Sequence, residues 1–395
     1  MKIVESEVKW ANMKNNYWNM NLSNKDWMRR IFLPVGNGAF YCENFMLNGV
    51  DEPINVVFDC GVVPSADAAS RLENVIDAAF GDYKVIHAVF LSCLESSHIN
   101  GLEFLKNSRQ MDIKRIYYPE IADESQWSME KWYKLTGQQN TLAGNFCHKV
   151  EEWFPGAKRP IPHPSSNQCQ PHSIVCMAKA DEKGTVEKGG VLHYGEEISL
   201  SKIAGGSLGG RIASSPFADW VFHAMNFYFH DFPLKTPLFF RTLRKQRTDS
   251  QILQKFMHPC FNTNSLAVYS GPKSPRINLA QRIYDLDVPQ GGPPNTSDQY
   301  APGCLYTGDI AVSSTSAWNK LFKEYQAYRR HIGCLQLIEG DVLGHVGNGL
   351  STLNRDLDEL ILVSSTESSD GSMLCNAKIH YITDEEESCL CTIVS

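Results

Sequence analysis

The chain has 395 residues, enough to bury a large core and, by length alone, to form two or three domains. A hydrophobic content of 43% and a charged content of 21% exclude a disordered or fibrous chain. A formal net charge of −7 excludes a broad basic surface for nucleic acid, and the densest basic run, Arg241 to Arg247, reads as a solvated face.

Residues 1–30 are polar and tryptophan-bearing, and read as an N-terminal extension forming a peripheral helix or strand. The apolar run Ile31–Val35 stops at Gly36-Asn37-Gly38, a turn signal. Ala39–Leu47 alternates as a strand, and Asn48-Gly49 closes it toward the buried strand Ile54–Gly61, so a hairpin is expected. Residues 65–80 carry helical spacing (Ala69, Leu72, Val75, Ile76, Ala79), with Ser65 as N-cap.

Val89-Phe90-Leu91-Ser92 is a buried strand that then breaks into a polar loop through Asn100. A helix-like run follows Gly101, with Leu102, Phe104 and Leu105 as its apolar positions. Ile113–Tyr118 is a further strand, ended by Pro119. This alternation of strands and helices is an α/β signature.

Residues 120–190 hold Trp127, Trp132 and Trp153 and a Pro-, Ser- and His-rich stretch from Pro160 to Ser173, and read as a helical and loop insertion. Strand character returns near Leu192–Ile203 and Trp220–Phe229. Between them lies Gly205-Gly206-Ser207-Leu208-Gly209-Gly210, which lacks the Lys-Ser/Thr of a phosphate loop and reads as a flexible surface loop. Asn264–Tyr269, Gly303–Ile310, Cys334–Ile338, Leu360–Ser364 and Lys378–Thr383 read as strands, with a Pro/Gly-rich loop over 271–302.

The twelve cysteines show no C-x-x-C pair, no secretory signal opens the sequence, and no apolar run of 18 residues exists. These features predict a cytoplasmic chain with reduced, mostly buried thiols and no membrane span. Cys391 sits one place too early for a prenylation box, so Cys391–Ser395 reads as a terminal strand.

Several strand ends carry motif residues in one order: Val35-Gly36-Asn37-Gly38, Phe58-Asp59-Cys60-Gly61, Cys93-x-Glu95-x-Ser97-His98 followed by Gly101, Asn264-Ser265-Leu266, Thr307-Gly308-Asp309, His345-Val346-Gly347-Asn348 and Val363-Ser364. The series resembles the metallo-β-lactamase-fold hydrolases, nearest their competence (DNA-uptake) branch, with a degenerate form of the His-x-His-x-Asp-His loop. That resemblance implies an αββα four-layer sandwich over residues 31–390, with helical and loop insertions near 120–215 and 270–302.

It also implies chemistry. Family members bind two zinc ions at the sandwich edge, and metal-bound water is acidified to a pKa near 7. Carried over, His98, Asp309 and His345 stand at ligand positions of one ion, while Ser97 replaces the carboxylate that would complete it. Cys93 and Glu95 stand at first-ion positions, and His223 is the best candidate for that ion's third histidine. One zinc is expected rather than two, held by His98, Asp309 and His345 with Cys93 or water. Glu95 and Asp309 are the catalytic candidates, Glu95 as general base, and Asp59 and Ser97 lie behind the ligands.

The substrate implied is a phosphodiester or other ester; net charge gives no support to nucleic acid. The alternative is an inactive pseudo-hydrolase acting as a sensing or partner-binding module, with the tryptophan-rich insertion as the protein-binding surface.

Overall fold

The computed structural model describes residues 3–9, 26–33, 35, 39–62, 67–119, 141–161, 190–230, 264–273, 303–308, 321–322, 325, 332–338, 359–363, 378–382 and 388–394. The strands are β1 (Ile3–Lys9), β2 (Trp27–Phe32), β3 (Tyr41–Met46), β4 (Ile54–Phe58), β5 (Val85–Ile86), β6 (Ala88–Phe90), β7 (Asp112–Ile113), β8 (Ile116–Pro119) and β9 (Lys158–Ile161). They continue as β10 (Gly190–Ser199), β11 (Trp220–His230), β12 (Asn264–Pro272), β13 (Gly303–Tyr306), β14 (Ile332–Ile338), β15 (Glu359–Val363), β16 (Lys378–Ile382) and β17 (Ser388–Val394). The helices are α1 (Ala68–Phe80), α2 (Ser96–Ile99), α3 (Gly101–Asn107), α4 (Phe146–Trp153), α5 (Leu200–Ala204) and α6 (Gly206–Ile212).

Two mixed sheets organise the chain. The first runs β1-β17-β2-β3-β4-β6-β8-β9, antiparallel as far as β4 and parallel from β4 to β9. The second runs β10-β11-β12-β13-β14-β15-β16, antiparallel to β13 and parallel from β13 to β16. β5 and β7 form a separate parallel pair.

β4 is buried along its whole length, which fits a central strand covered on both faces. One face of the first sheet (Ile31, Cys42, Val57, Val89, Ile116) packs on α1, α3 and α4 through Leu72, Val75, Leu102, Phe146 and Val150. The other face (Phe32, Phe45, Phe58, Phe90) packs on Phe222, Leu266, Tyr306 and Cys334 of the second sheet. Helices on sheet on sheet is therefore the described α/β architecture. On the far side of the second sheet, the helical residues Leu321, Phe322 and Tyr325 are buried, and Tyr325 donates to the Ala267 carbonyl at 2.9 Å. A complete fourth layer is not present among the described residues.

Several expectations change. The polar segment before residue 31 contributes two strands: β1 pairs with β17, and β2 lies between β17 and β3. Arg29 and Arg30 are both buried there because each finds partners on its own face of the sheet. Arg29 donates to Asn44 Oδ1 and to the Ala79 carbonyl on the helix side. Arg30 bridges Glu43 at 2.8 Å on the side of the second sheet.

Part of the segment expected as an insertion, 120–215, also supplies β9 and β10 to the sheets, and Leu192–Ile203 leaves strand geometry at Ser199. The glycine cluster is a helix rather than a loop. Its Gly209 lies so close to α5 that an added Cβ would sit 2.7 Å from the Ser201 carbonyl oxygen, a contact only glycine permits. Ile113–Tyr118 divides into β7 and β8, the run expected as a loop over 271–302 begins as the last residues of β12, and Cys391 lies within β17. Ser65 falls outside the described residues, and Asp67 occupies the N-cap of α1 without a side-chain cap.

Between the sheets, the Glu43 carboxylate accepts from Arg30, Tyr306 Oη and Ser270 Oγ, and Ser270 in turn accepts from Trp220 Nε1 at 3.0 Å. Removing one partner of a buried pair leaves an uncompensated charge, whereas replacing both by apolar groups is often neutral. Glu43→Ala is expected to cost about 3–5 kcal/mol in urea unfolding. The double change Arg30→Met with Glu43→Leu should recover most of that loss, and no recovery would show that the cost is not electrostatic.

His87, at the head of β6, is buried, and its Nδ1 accepts from the Asn55 N–H at 3.2 Å. Burial, with Arg115 and Lys114 nearby, pushes its pKa down to about 4. The unfolded chain then binds more protons between about pH 6.5 and 4, so stability falls as pH drops through that window, by up to about 3 kcal/mol. His87→Leu should flatten this part of the stability profile relative to wild type. Parallel profiles for the two proteins would refute it.

Candidate functional site

β4 and β6 run parallel and end side by side, and the loops leaving them are knitted together through backbone atoms. Asp59 N donates to Phe90 O, Cys60 N to His98 O, and Gly101 N to Cys60 O, each at 2.7 Å. Gly61 lets the loop carrying His98 approach this strand end: an added Cβ would stand 2.1 Å from the Ser97 carbonyl oxygen. Asp59 itself holds φ at 54°, a left-handed conformation that Asp tolerates better than most residues.

That backbone turns the Asp59 carboxylate under the loop. Oδ1 accepts from Ser92 N at 2.6 Å, and Oδ2 accepts from Ser92 Oγ at 2.7 Å. Oδ2 also lies 3.0 Å from His98 Nδ1, with Ser92 Oγ 3.2 Å from the same nitrogen. All three residues are buried. A carboxylate on Nδ1 fixes the ring so that Nε2 is the outward nitrogen, the arrangement usual for metal-ligating histidines. Cys93, also buried, hydrogen-bonds the same ring. Burial disfavours the imidazolium, but the Cys93 sulfur and the Asp59 carboxylate outweigh it and hold His98 well above the ordinary histidine range.

The second sheet meets this cluster at its own strand ends. Leu266 N and Ser265 Oγ both donate to the Ser92 carbonyl, at 2.8 and 3.2 Å. The turn after β13 packs on the same serine: Gly308, at φ 58°, leaves no room for a Cβ, which would fall 2.0 Å from Ser92 Cβ. Five strands, β4, β6, β12, β13 and β14, thus bring polar residues to one end of the two-sheet core.

The structure brings together Cys93, His98 and Asp59 of the sequence-derived candidates. Glu95 is half-buried just before α2, where its carbonyl accepts from His98 N, and Ser97 is half-buried with its carbonyl bonded to Ala39 N. Among the described residues, no three His, Cys, Asp or Glu side chains converge as a metal-binding group. His223 lies on β11 between Phe222 and Ala224, which face the inter-sheet core. Strand alternation turns His223 to the opposite face, where its ring meets Tyr325 edge-on at 5.8 Å. Asp309 follows the Thr307-Gly308 turn directly, but it and His345 lie outside the described residues. Ser92 and Gln336 were not anticipated, and Ser265 was read only as part of the Asn264-Ser265-Leu266 motif; the one sequence signal for Gln336 is a polar residue inside the apolar run Cys334–Ile338.

No protein-family model matches the sequence, and no curated protein does. Among solved structures, the short form of human tRNase Z is similar over 93% of this chain and 98% of that chain, at 10% identity and a TM-score of 0.36. The chemistry is therefore read from this chain's own residues.

Asp59 is the residue on which the state of His98 depends. Asp59→Asn should lower the His98 pKa toward the ordinary histidine value in an NMR titration of the ring. An unchanged titration would mean that the carboxylate does not govern the ring.

Proposed function

We propose that the chain is a hydrolase of the metallo-β-lactamase fold, a four-layer αββα sandwich that cleaves a phosphodiester or other ester with one bound zinc. The single observation behind this reading is the Asp59–His98 contact, which commits Nδ1 to a carboxylate and makes Nε2 the outward nitrogen of a ring that the buried Cys93 also meets. An imidazole oriented by a carboxylate and an adjacent cysteine sulfur are donors that zinc prefers, so the described half of the site fits that ion. His98 and Cys93, with Asp309 and His345, would hold it.

Zinc in such a site supplies a water acidified enough to ionise near neutral pH. The chain's own residues do the rest. Asp59 and Ser92 keep the His98 ring in one orientation, and the His98 and Cys93 protons leave when a ligand takes their lone pairs. Glu95 is the general base in this reading. Ser97, lacking a carboxylate, is the reason a second ion is not expected. Cys42, Cys60, Cys93, Cys147, Cys304 and Cys334 are free thiols, among the described residues no helix is long and apolar enough to cross a membrane, and we place the activity in the cytoplasm.

The alternative is a pseudo-hydrolase that binds a protein partner through its tryptophan-rich insertion.

Zinc content after purification with added zinc decides between them, together with turnover of a generic phosphodiester. About one zinc per chain is expected, lost in His98→Ala and bound roughly 10- to 100-fold more weakly in Asp59→Asn. A wild-type chain that retains no zinc would leave only the partner-binding reading.

A further inference from the structure

Gln336 is fully buried on β14, two residues beyond the inward-facing Cys334, and so faces the space between the sheets near that strand's carboxyl end. Its Oε1 accepts from the N–H groups of Thr307 at 3.1 Å and Gly308 at 3.3 Å, and its carbonyl accepts from Thr307 Oγ1 at 2.8 Å. Both amide partners are donors, so the side-chain oxygen must be the arm that meets the turn, and the nitrogen must be the other arm. That Nε2 is buried with no hydrogen-bond partner among the described residues.

A buried amide nitrogen with two unmet protons is costly, and the usual outcome is that something outside the chain accepts from it. Its position narrows what that is. The turn it pins packs against Ser92, whose hydroxyl reaches both the Asp59 carboxylate and the His98 ring. The turn that Gln336 holds therefore lies beside the candidate site, at the carboxyl ends of parallel strands, where ligands of α/β sheets bind.

We propose that Gln336 Nε2 donates to an anionic oxygen of the ligand, of the phosphate or carboxylate class, while Oε1 positions the Thr307-Gly308 turn. This rests on the hydrolase reading for the ligand's being a substrate, but not for the binding itself.

Titration calorimetry of the full chain with inorganic phosphate and, separately, acetate tests it in wild type, Gln336→Glu and Gln336→Met. Glu keeps an acceptor for the turn and replaces the donor by a second acceptor; Met removes both. Wild type should bind at least one anion, and both variants should bind it roughly tenfold more weakly or worse; the anion affected names the class. Because the variants differ in charge, a folding failure in one leaves the other to decide. Binding unchanged in both variants, or absent from wild type, overturns the assignment and leaves Nε2 to a buried water. Neither titration needs turnover, so that failure leaves the hydrolase reading intact. Conversely, a wild type without zinc leaves the anion result standing.

Discussion

The stack of Phe58 on Tyr306 fixes the distance between the two sheets where it matters. The ring centroids are 3.7 Å apart and 13° from parallel, and each ring sits one residue before a site backbone, Asp59 on one strand and Thr307 on the other. Tyr306 cannot shift alone, because its hydroxyl is bonded to the Glu43 carboxylate within the Arg30 pair. Aromatic contact supplies apolar burial and the ion pair supplies direction, so strand ends contributed by different sheets arrive at one spacing. Polar residues above the stack inherit that spacing: Ser92 touches Asp59, His98 and Gly308 at once.

How much of this the sequence carried depends on the range of the interactions. Strands around Tyr41, Ile54 and Val89, and the helix over 68–80, were legible because their patterns are local. Asp59 and His98 were legible because glycines mark the strand end and the loop. Arg29 and Arg30 were not, since adjacent arginines read as surface, and one of Arg30's partners lies at Tyr306, far along the chain. Glycines 205–210 failed for a related reason: a glycine-rich helix is intrinsically poor, and it is held by close packing on α5 that no local pattern reveals. Gln336 shows the reverse, a visible polar break in an apolar strand whose meaning appears only with the turn it holds.

The site holds three local exceptions, of kinds that Gln110 (φ 51°) and the buried Arg29, Arg30 and Glu43 also show elsewhere. Asp59 is a non-glycine residue in left-handed geometry, charged groups are buried, and an amide nitrogen has no acceptor among the described residues. Such departures persist only where the surroundings over-determine them, and here they share one end of the core. Elsewhere between the sheets, apart from the Glu43 network, the contacts are mainly apolar.

The place of β17 has a consequence for how the chain is made. It lies between β1 and β2, with Leu390 opposite Phe32 and Ile3 opposite Val394. During synthesis β2 can pair with β3 at once, yet its other edge stays open for the tens of seconds the ribosome needs to reach residue 388. The strands bearing Asp59 and Ser92 can assemble early as a local unit, while the sheet closes last and over a very long sequence separation. Nascent chains of this protein would thus carry an unsatisfied hydrogen-bonding edge through most of translation, a natural substrate for ribosome-associated chaperones and the first place for chains on one polysome to pair wrongly.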